Sequence, residues 1–557
     1  MKQVLSVVAI IDSPTPLAWV NKLIDRLEQR NGVELSILLR SSDQADSKSG
    51  ESLPDSLMRA SGEKLLGKMD KPRFAQNPWQ AEALSNTSAL KKTDASTALV
   101  RCDVVINLSD SPLDPDMLPH GGTPVWDAHI ETLDARIKDQ LLQRAPLCWV
   151  HLWAHYRDPD KEASTPGTDS CSRIATHALP RQTYSITDLR RAAYFSLVSL
   201  FESRLVWLSQ GANILASEYR QSTALPNGKL IDPERQAAQT DADCLMNNQF
   251  MPAAVSEFVR LKQLLKLFYH QSLDRIRHRL WYEQWQLAVI NDTGTSSLAA
   301  LTRHKLDDFA IIESPAKTWW ADPHLYQHDG SLYVFFEEMQ IDSDHAHLSV
   351  ARLSHDGQPS EVKKVMDDGQ HLSYPFVFSA DGELYMIPET ASRKSVLLYK
   401  AEQFPDQWTL VKELLNDVDL ADSTVHFDGQ RWWMFANAMS HRCVDERDEL
   451  HLYYSDQITG SWTPHPMNPV ITGVDRARMA GPVFRDGDHF YRPSQYGAVR
   501  YGYGINLARI EVLNTQAYSE VIEGRLLPEQ GSTWLGCHSV THMNGTTVLD
   551  RVTRHRR

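Results

Sequence analysis

A chain of 557 residues is too long for one hydrophobic core, so two or more domains are expected before any residue is inspected. Hydrophobic residues make up 42% and charged residues 23%, the mix of a folded globular protein, and no apolar run approaches the roughly 18 to 20 residues that a membrane-spanning helix requires. A formal net charge of −14 argues against nucleic acid or an anionic membrane as a partner, and six scattered cysteines without a C-x-x-C pair signal neither a zinc cluster nor a disulfide framework.

The first residues, MKQVLSVVAIIDSP, hold an apolar stretch that lacks a cleavage site and runs into Asp12, as a first buried strand would. A cytoplasmic address is expected. The segments VLSVVAIID, LAWVNKLIDRLEQR and VELSILLR read as strand, helix and strand, with Leu17, Val20, Ile24 and Leu27 at helical spacing. They open a layered α/β domain expected over residues 1–215. Residues 41–95 are polar with little periodicity and read as a poorly ordered insertion. Strands resume at LVRCDVVINL, TPVWDAHI, PLCWVHLWAHY and SRIATHAL, before a long helix, TDLRRAAYFSLVSLFESRLVWLSQ. A helical linker is expected at 216–283.

From 319 the sequence repeats itself. The copies are DPHLYQHDGSLYVFFEE, YPFVFSADGELYMIPET, DSTVHFDGQRWWMFANA, GPVFRDGDHFYRPSQ and HSVTHMNGTTVLDRV. Each joins two strands through a turn centred on Asp-Gly or Asn-Gly, which favours a hairpin because the turn needs positive φ. The turn glycines, Gly330, Gly382, Gly429, Gly487 and Gly545, are 52, 47, 58 and 58 residues apart, room for a four-stranded sheet each time. Third strands follow as HLSVARL, SVLLYKAE, ELHLYYS and INLARIEV. The fifth copy stands too near the C-terminus to complete its sheet and is expected to borrow WQLAVI and DDFAIIES from ahead of the first. The fold predicted is an N-terminal α/β domain followed by an all-β five-bladed propeller at 284–557.

Inner strands of a propeller begin around one channel. Aligned on their turns, the copies bring Asp322, Tyr374, Asp422, the stretch from Met479 to Gly481, and His538 to that mouth. Glu337 and Glu389 stand seven residues after their turn glycines, where the third and fourth copies have Ala436 and Ser494. Arg476, Arg478, Arg492 and Gln495 lie in or beside the fourth copy and could reach a hydroxyl-rich or anionic ligand. Breaking or transferring a glycosidic bond needs one carboxylate as base or nucleophile and a second acid that keeps its proton. Repulsion among crowded carboxylates separates those roles. Singly, Asp322 before Pro323 and Asp422 before Ser423 are also what a turn cap looks like. Trp319, Trp320, Trp432 and Trp433 read mainly as blade packing.

The strings WWADPHLYQHDGSLYVFFEE and SYPFVFSADGELYMIPE resemble the propeller at the N-terminus of plant glucosamine inositolphosphorylceramide transferases and of bacterial relatives. More distantly they are similar to the five-bladed propellers of family 43 and family 32 glycoside hydrolases. That resemblance implies an aspartate base or nucleophile at the start of blade one, matched by Asp322. It also implies an acid early in blade two, where this chain has Tyr374, and a glutamate acid in blade three, where it has Asp422. Glu389 could then take over proton donation. A last-blade histidine that helps hold a divalent metal or water in the channel is matched by His538. The segment CDVVINLSDSPLDPDMLPHGGTPVWDAH is similar to formyltransferases around their catalytic site; Asn107 and His129 match only in residue type, and the domain reads as a non-catalytic descendant.

No phosphate-binding glycine loop, H-E-x-x-H or G-x-S-x-G occurs. The expectation is a carbohydrate-active enzyme that transfers or cleaves a glycosyl unit in surface glycan or glycolipid assembly. Asp322 would be base or nucleophile and Glu389 or Asp422 the acid, with Tyr374, Glu337, Arg478, Arg492, Gln495 and His538 holding substrate. A sugar or sugar nucleotide and a glycan or glycolipid acceptor are the expected partners, and no cofactor is required beyond that metal or water. Two alternatives stay open: a sugar-binding propeller without catalysis, and an amino-sugar N-formyltransferase working through the front domain.

Overall fold

The computed structural model describes residues 4–11, 17–30, 32–39, 102–109, 125–128, 147–157, 169–180, 186–209, 280–292, 304–343, 345–355, 357–439, 447–529 and 531–556. They fall into two compact units, Met1–Ser272 with Ser440–Val444, and Leu273–Met439 with Asp445–Arg557. The insertion expected at 41–95, and the helical linker as far as residue 279, lie outside the described residues.

In the first unit, strands β1 (Leu5–Ile11), β2 (Val33–Leu39), β3 (Val104–Asn107), β4 (Val125–Asp127), β5 (Leu147–Arg157) and β6 (Asp169–Pro180) form one sheet in the order β2-β1-β3-β4-β5-β6. The first four run parallel, and β5 and β6 join antiparallel. The apolar run near the start of the chain is β1, whose Val7, Ala9 and Ile11 are buried. Helix α1 (Ala18–Glu28) buries Val20, Ile24 and Leu27, as the helical spacing requires. At its C-terminal end Arg26 and Arg30 both pair with Glu202 of helix α2 (Ile186–Ser209). Among the described residues no helix is long and apolar enough to cross a membrane.

The second unit is a five-bladed β-propeller. Blades one to four start with the inner strands Thr318–His328, Ser373–Ala380, Ala421–Phe427 and Phe484–Asp486, each followed by its remaining strands in chain order. Blade five is closed by strands from both ends of the unit. Val540–Met543 and Thr546–Arg556 pair with Trp281–Asn291 and then Ala310–Ile312. This is the borrowing expected from the short fifth copy, and it completes a four-stranded fifth sheet. The borrowed strand starts at Trp281, ahead of the boundary expected at 284.

Each blade is covered on both faces, so its strands are apolar on both. Val334 and Phe336 pack toward blade five in a cluster with Leu287, Val289 and Val548. Phe335, one residue between them, packs the other way with Val377 and Met386 of blade two, the two-residue alternation of a strand. A blade-two cluster around Ile387 and Leu398 meets Val425 and Met434 of blade three, and Ile505 and Leu507 of blade four meet Val540 and Leu549 of blade five.

The expected turns form with one adjustment. In blades one, two and five both central residues have positive φ (Asp329 and Gly330, Asp381 and Gly382, Asn544 and Gly545), the turn that suits a twisted hairpin. Blade four pairs Asp486 with His489, which centres its turn on Gly487 and Asp488 instead. Blade three uses a longer loop, in which the Asp428 carboxylate accepts the N–H groups of Gln430 and Arg431 and the indole N–H of Trp433.

Candidate active site

The inner strand of each of the first three blades falls out of step with its neighbour at one place. The ladder skips opposite Phe336, between Ser373 and Phe376, and between Ala421 and Thr424. At each skip stands a non-glycine residue with left-handed backbone: Asp322 (φ 50°), Tyr374 (φ 46°) and Asp422 (φ 51°). That conformation costs about 1–2 kcal/mol per residue, and a bulge re-aims the side chain it carries. Three equivalent bulges spend this strain at one end of the channel, where the alignment on turns places the same three residues. All three are buried.

Register carries two further acids to the same level. Glu337 lies across from Ala321 and Glu389 across from Ser373, each beside the bulged residue of its own blade. In blade three the partner of Ala421 is Asn437, so the longer loop at Asp428 moves the equivalent position one residue past Ala436. Asn437 is structural: its amide donates to the Glu449 and Ala477 carbonyls, and its Oδ1 accepts the Met479 N–H.

Blade five supplies His538 and an acid that the sequence reading passed over, Asp550. The Asp550 carboxylate is fully buried and accepts the backbone N–H groups of His538 (2.8 Å), Ser539 (3.1 Å) and Asp322 (3.1 Å). It therefore stitches the first blade to the last. His538 sits between two acids, with Nε2 3.2 Å from Asp322 Oδ1 and Nδ1 2.9 Å from Asp550 Oδ2. The Nδ1 contact is an ion-pair distance off the line of a good hydrogen bond. Burial alone would lower the imidazole pKa, but the Asp550 and Asp322 carboxylates outweigh it and raise it to about 10. His538 is an imidazolium.

Asp322, His538 and Asp550 offer ligand atoms within 4.8 Å of one another, a spacing that suits a metal ion. The ring, however, turns one nitrogen to each carboxylate, and a cation touching both acids would need the space that it fills. This donor set fits a protonated histidine, which supplies the positive charge itself, better than the divalent ion expected near His538.

The acids of blades two and three form a second group. Arg478 grips Asp422 with Nε to Oδ2 at 2.5 Å and Nη2 to Oδ1 at 3.4 Å. Glu389 stands next to the same carboxylate, and burial together with the Asp422 charge raises its pKa to about 8 against the opposing pull of Arg478 and Arg447. Its Oε2 is buried with no hydrogen-bond partner. Glu337 is likewise held well above the usual carboxylate range, by burial first and then by the charge of Asp322, with Glu389 adding to it. Glu337 responds to both Asp322 and Glu389, and Glu389 to Asp422, so the acids of three blades lie within electrostatic reach of one another. His371 Nε2 lies 3.6 Å from Glu337 Oε1, and the Tyr374 hydroxyl meets Thr424 Oγ1 at 2.9 Å.

Tyr501 links the two groups and was also missed. The Arg478 guanidinium lies over its ring at 5.1 Å, and its centroid is 5.3 Å from that of His538. Trp285 backs the same histidine at 4.3 Å. The signals were faint: a tyrosine in the glycine-rich YGAVRYGYG loop, and the one acid of the strand TTVLDRV.

Two expected ligand contacts are placed elsewhere. Arg492 is fully buried inside blade four, bound to Glu520 through Nε (2.7 Å) and Nη2 (2.5 Å) and to the carbonyls of Arg476 and Ala477. Its guanidinium is spent on the blade, so it does not position a ligand. Gln495 donates to the Met479 carbonyl and braces the stretch that carries Arg478. In the first unit Asn107 donates to Asp127 Oδ2 at 2.7 Å and accepts from Ser109; His129 lies outside the described residues.

Fold and site together define a five-bladed propeller whose channel mouth gathers carboxyl groups from four blades, two of them raised well above the usual carboxylate range and the others matched by an imidazolium and a guanidinium. Residues 309–542 match the family described as glucosamine inositolphosphorylceramide transferase 1, N-terminal. The chain is similar to glucosamine inositolphosphorylceramide transferase 1 of Oryza sativa subsp. japonica, 36% identical over 204 residues that cover 36% of this chain and 27% of that protein. It is similar to the protein of the same name from Arabidopsis thaliana, 35% identical over 205 residues, 36% of this chain and 26% of that protein. The chain thus spans about a quarter of the length of the curated relatives it matches. Among solved structures it is similar to a GH43_1 enzyme from Xanthomonas citri (TM-score 0.31, 14% identity, 47% of this chain and 93% of that one). It is also similar to Zg3597, a family 117 glycoside hydrolase of Zobellia galactanivorans (TM-score 0.30, 12% identity, 49% and 90%).

Proposed function

We propose that the propeller mouth is a saccharide site that transfers or cleaves a glycosyl unit, with Glu389 as the proton donor and Asp322 as the base or nucleophile. The observation that carries this reading is the Glu389 carboxyl, pushed up to about 8 by burial and by the charge of Asp422 from the next blade. At neutral pH it keeps its proton and delivers it to the leaving oxygen as the glycosidic bond breaks. Asp322 takes the proton of the attacking hydroxyl, or attacks the sugar carbon itself. His538 and Asp550 fix its place. Asp422 is bound through both oxygens by Arg478, which favours Glu389 over it as the acid. Half-buried Tyr501, beside His538, is the aromatic side chain that a sugar ring would meet.

The names of the matching plant proteins, which speak of glucosamine and inositolphosphorylceramide, support a sugar donor and a glycolipid acceptor. A cytoplasmic address fits such biosynthesis and is checked by fractionation. One observation favours a second reading, a sugar-binding module without turnover: at the bulge of blade two, equivalent to Asp322 and Asp422, stands Tyr374 and not an acid.

The full chain is assayed for turnover of aryl glycosides and sugar nucleotides and, separately, for monosaccharide binding. Turnover abolished in both Asp322→Asn and Glu389→Gln, with binding retained, supports catalysis. Binding without turnover in the wild type, weakened by Asp322→Asn, supports the module. No saccharide binding of any kind overturns both.

A further inference from the structure

Asp550 and Arg551 are neighbours on the strand that closes the propeller, and successive residues of a strand point to opposite faces. Asp550 turns to His538 and Asp322, whereas Arg551 lies over the ring of Trp534 at 5.0 Å. Arg551 is 8% exposed. Its Nη2 reaches Gln286 Oε1 at 3.4 Å, a long contact, and its buried Nε has no acceptor. Among the described residues it enters no ion pair within 4.0 Å. The acids whose charge it feels are engaged elsewhere: Glu313 accepts from Gln286 Nε2 at 2.8 Å and Asp307 from Ser532 Oγ at 2.9 Å.

Buried Arg492 and half-buried Arg478 are treated differently. Arg478 and Arg492 each meet a carboxylate with two nitrogens. A buried guanidinium that no carboxylate touches is costly unless something pairs with it. A guanidinium is also a planar fork that matches two oxygens of a phosphoryl group. Burial pushes the Arg551 pKa down, the direction an incoming anion would reverse.

We propose that Arg551, backed by Trp534 and Gln286, is a subsite for a phosphate group, on the face of its strand opposite the carboxylate cluster. The phosphate is either free or borne by a sugar.

The test is thermal unfolding of the full-length protein in phosphate-free buffer, with added inorganic phosphate, glucose 1-phosphate or glucose. At about tenfold excess over its dissociation constant, phosphate should raise the wild-type melting temperature by roughly 2–4 °C, and glucose should not. A larger response to glucose 1-phosphate than to phosphate assigns the site to a sugar phosphate; the reverse assigns it to the free ion. Arg551→Met should lose the response and, freed of an unpaired buried charge, melt no lower than the wild type without phosphate. Arg551→Lys should keep a smaller response, and it decides the matter should the methionine variant not fold. A wild type that ignores phosphate, or an Arg551→Met variant that responds like it, overturns the proposal. Because only phosphate is read out, this outcome is separate from that of the glycosyl-transfer reading.

Discussion

Asp550 Oδ2 faces His538 Nδ1 at 2.9 Å while its Oδ1 accepts the backbone N–H of the same histidine, so one buried carboxylate both neutralises and anchors the only imidazolium of the carboxylate cluster. With a folded pKa of about 10 against an ordinary 6.5, His538 contributes stability that is fully present below pH 6.5 and is lost as pH rises through about 10. Denaturant titrations of the wild type between pH 6 and pH 10.5 should show that decline. In Asp550→Asn it should flatten, and the NMR titration midpoint of His538 should fall by more than one unit. Removing one member of a buried pair should also cost about 3–5 kcal/mol. An unchanged His538 midpoint would show that Asp550 only staples backbone.

Glu389 should govern the alkaline limb of any glycosyl activity. Its carboxyl must be protonated to act, so the rate should fall as pH rises through about 8. Glu389→Gln should lose 10²- to 10⁴-fold, about the usual range for one general acid. The same shift works against stability: the advantage of the protonated form, complete below about pH 4.5, disappears as pH approaches 8. That slope should be missing from the stability curve of the glutamine variant. A rate still rising at pH 9 would remove Glu389 from the donor role.

The two arginines in or beside the fourth copy, Arg492 buried and Arg478 half-buried, should separate cleanly. Arg492→Met strands the Glu520 carboxylate inside blade four and should lower stability by about 3–5 kcal/mol, with sugar affinity unchanged in the folded fraction. Arg478→Met frees Asp422 at the mouth and should change sugar affinity and the titration of Glu389. Isothermal titration alongside chemical denaturation reads both. Weakened binding in Arg492→Met would restore that residue to the ligand.

Gly481 shows where blades four and five leave no room. A Cβ there would stand 2.0 Å from the Val540 carbonyl oxygen, at a φ of +142°. Gly481→Ala should cost at least about 2–3 kcal/mol. Gly382→Asn, at a turn where a Cβ meets open space, should stay within about 1 kcal/mol of the wild type. Equal melting temperatures for the two variants would contradict the close approach.

The repeat was legible because its physics is local. Asp-Gly and Asn-Gly turns need positive φ at fixed places, and strands buried on both faces need apolar side chains at every step. Those two rules marked five hairpins, and the short fifth copy required the closure that Trp281–Asn291 provides. The alignment on turns likewise brought Asp322, Tyr374, Asp422 and His538 to one mouth, since equivalent positions of a rotationally repeated fold must converge.

What an acid does there was not legible. Asp322 and Asp422 look alike in the chain, yet one faces an imidazolium and the other a guanidinium. Glu389 keeps a proton because burial and a neighbour from blade three act on it together, and Arg492 braces blade four instead of a ligand because Glu520, 28 residues away, holds two of its three nitrogens. Composition, spacing and turn chemistry determined the architecture. Charge state and partnership were decided by tertiary structure, because electrostatic energy depends on distances between residues that the chain itself keeps far apart.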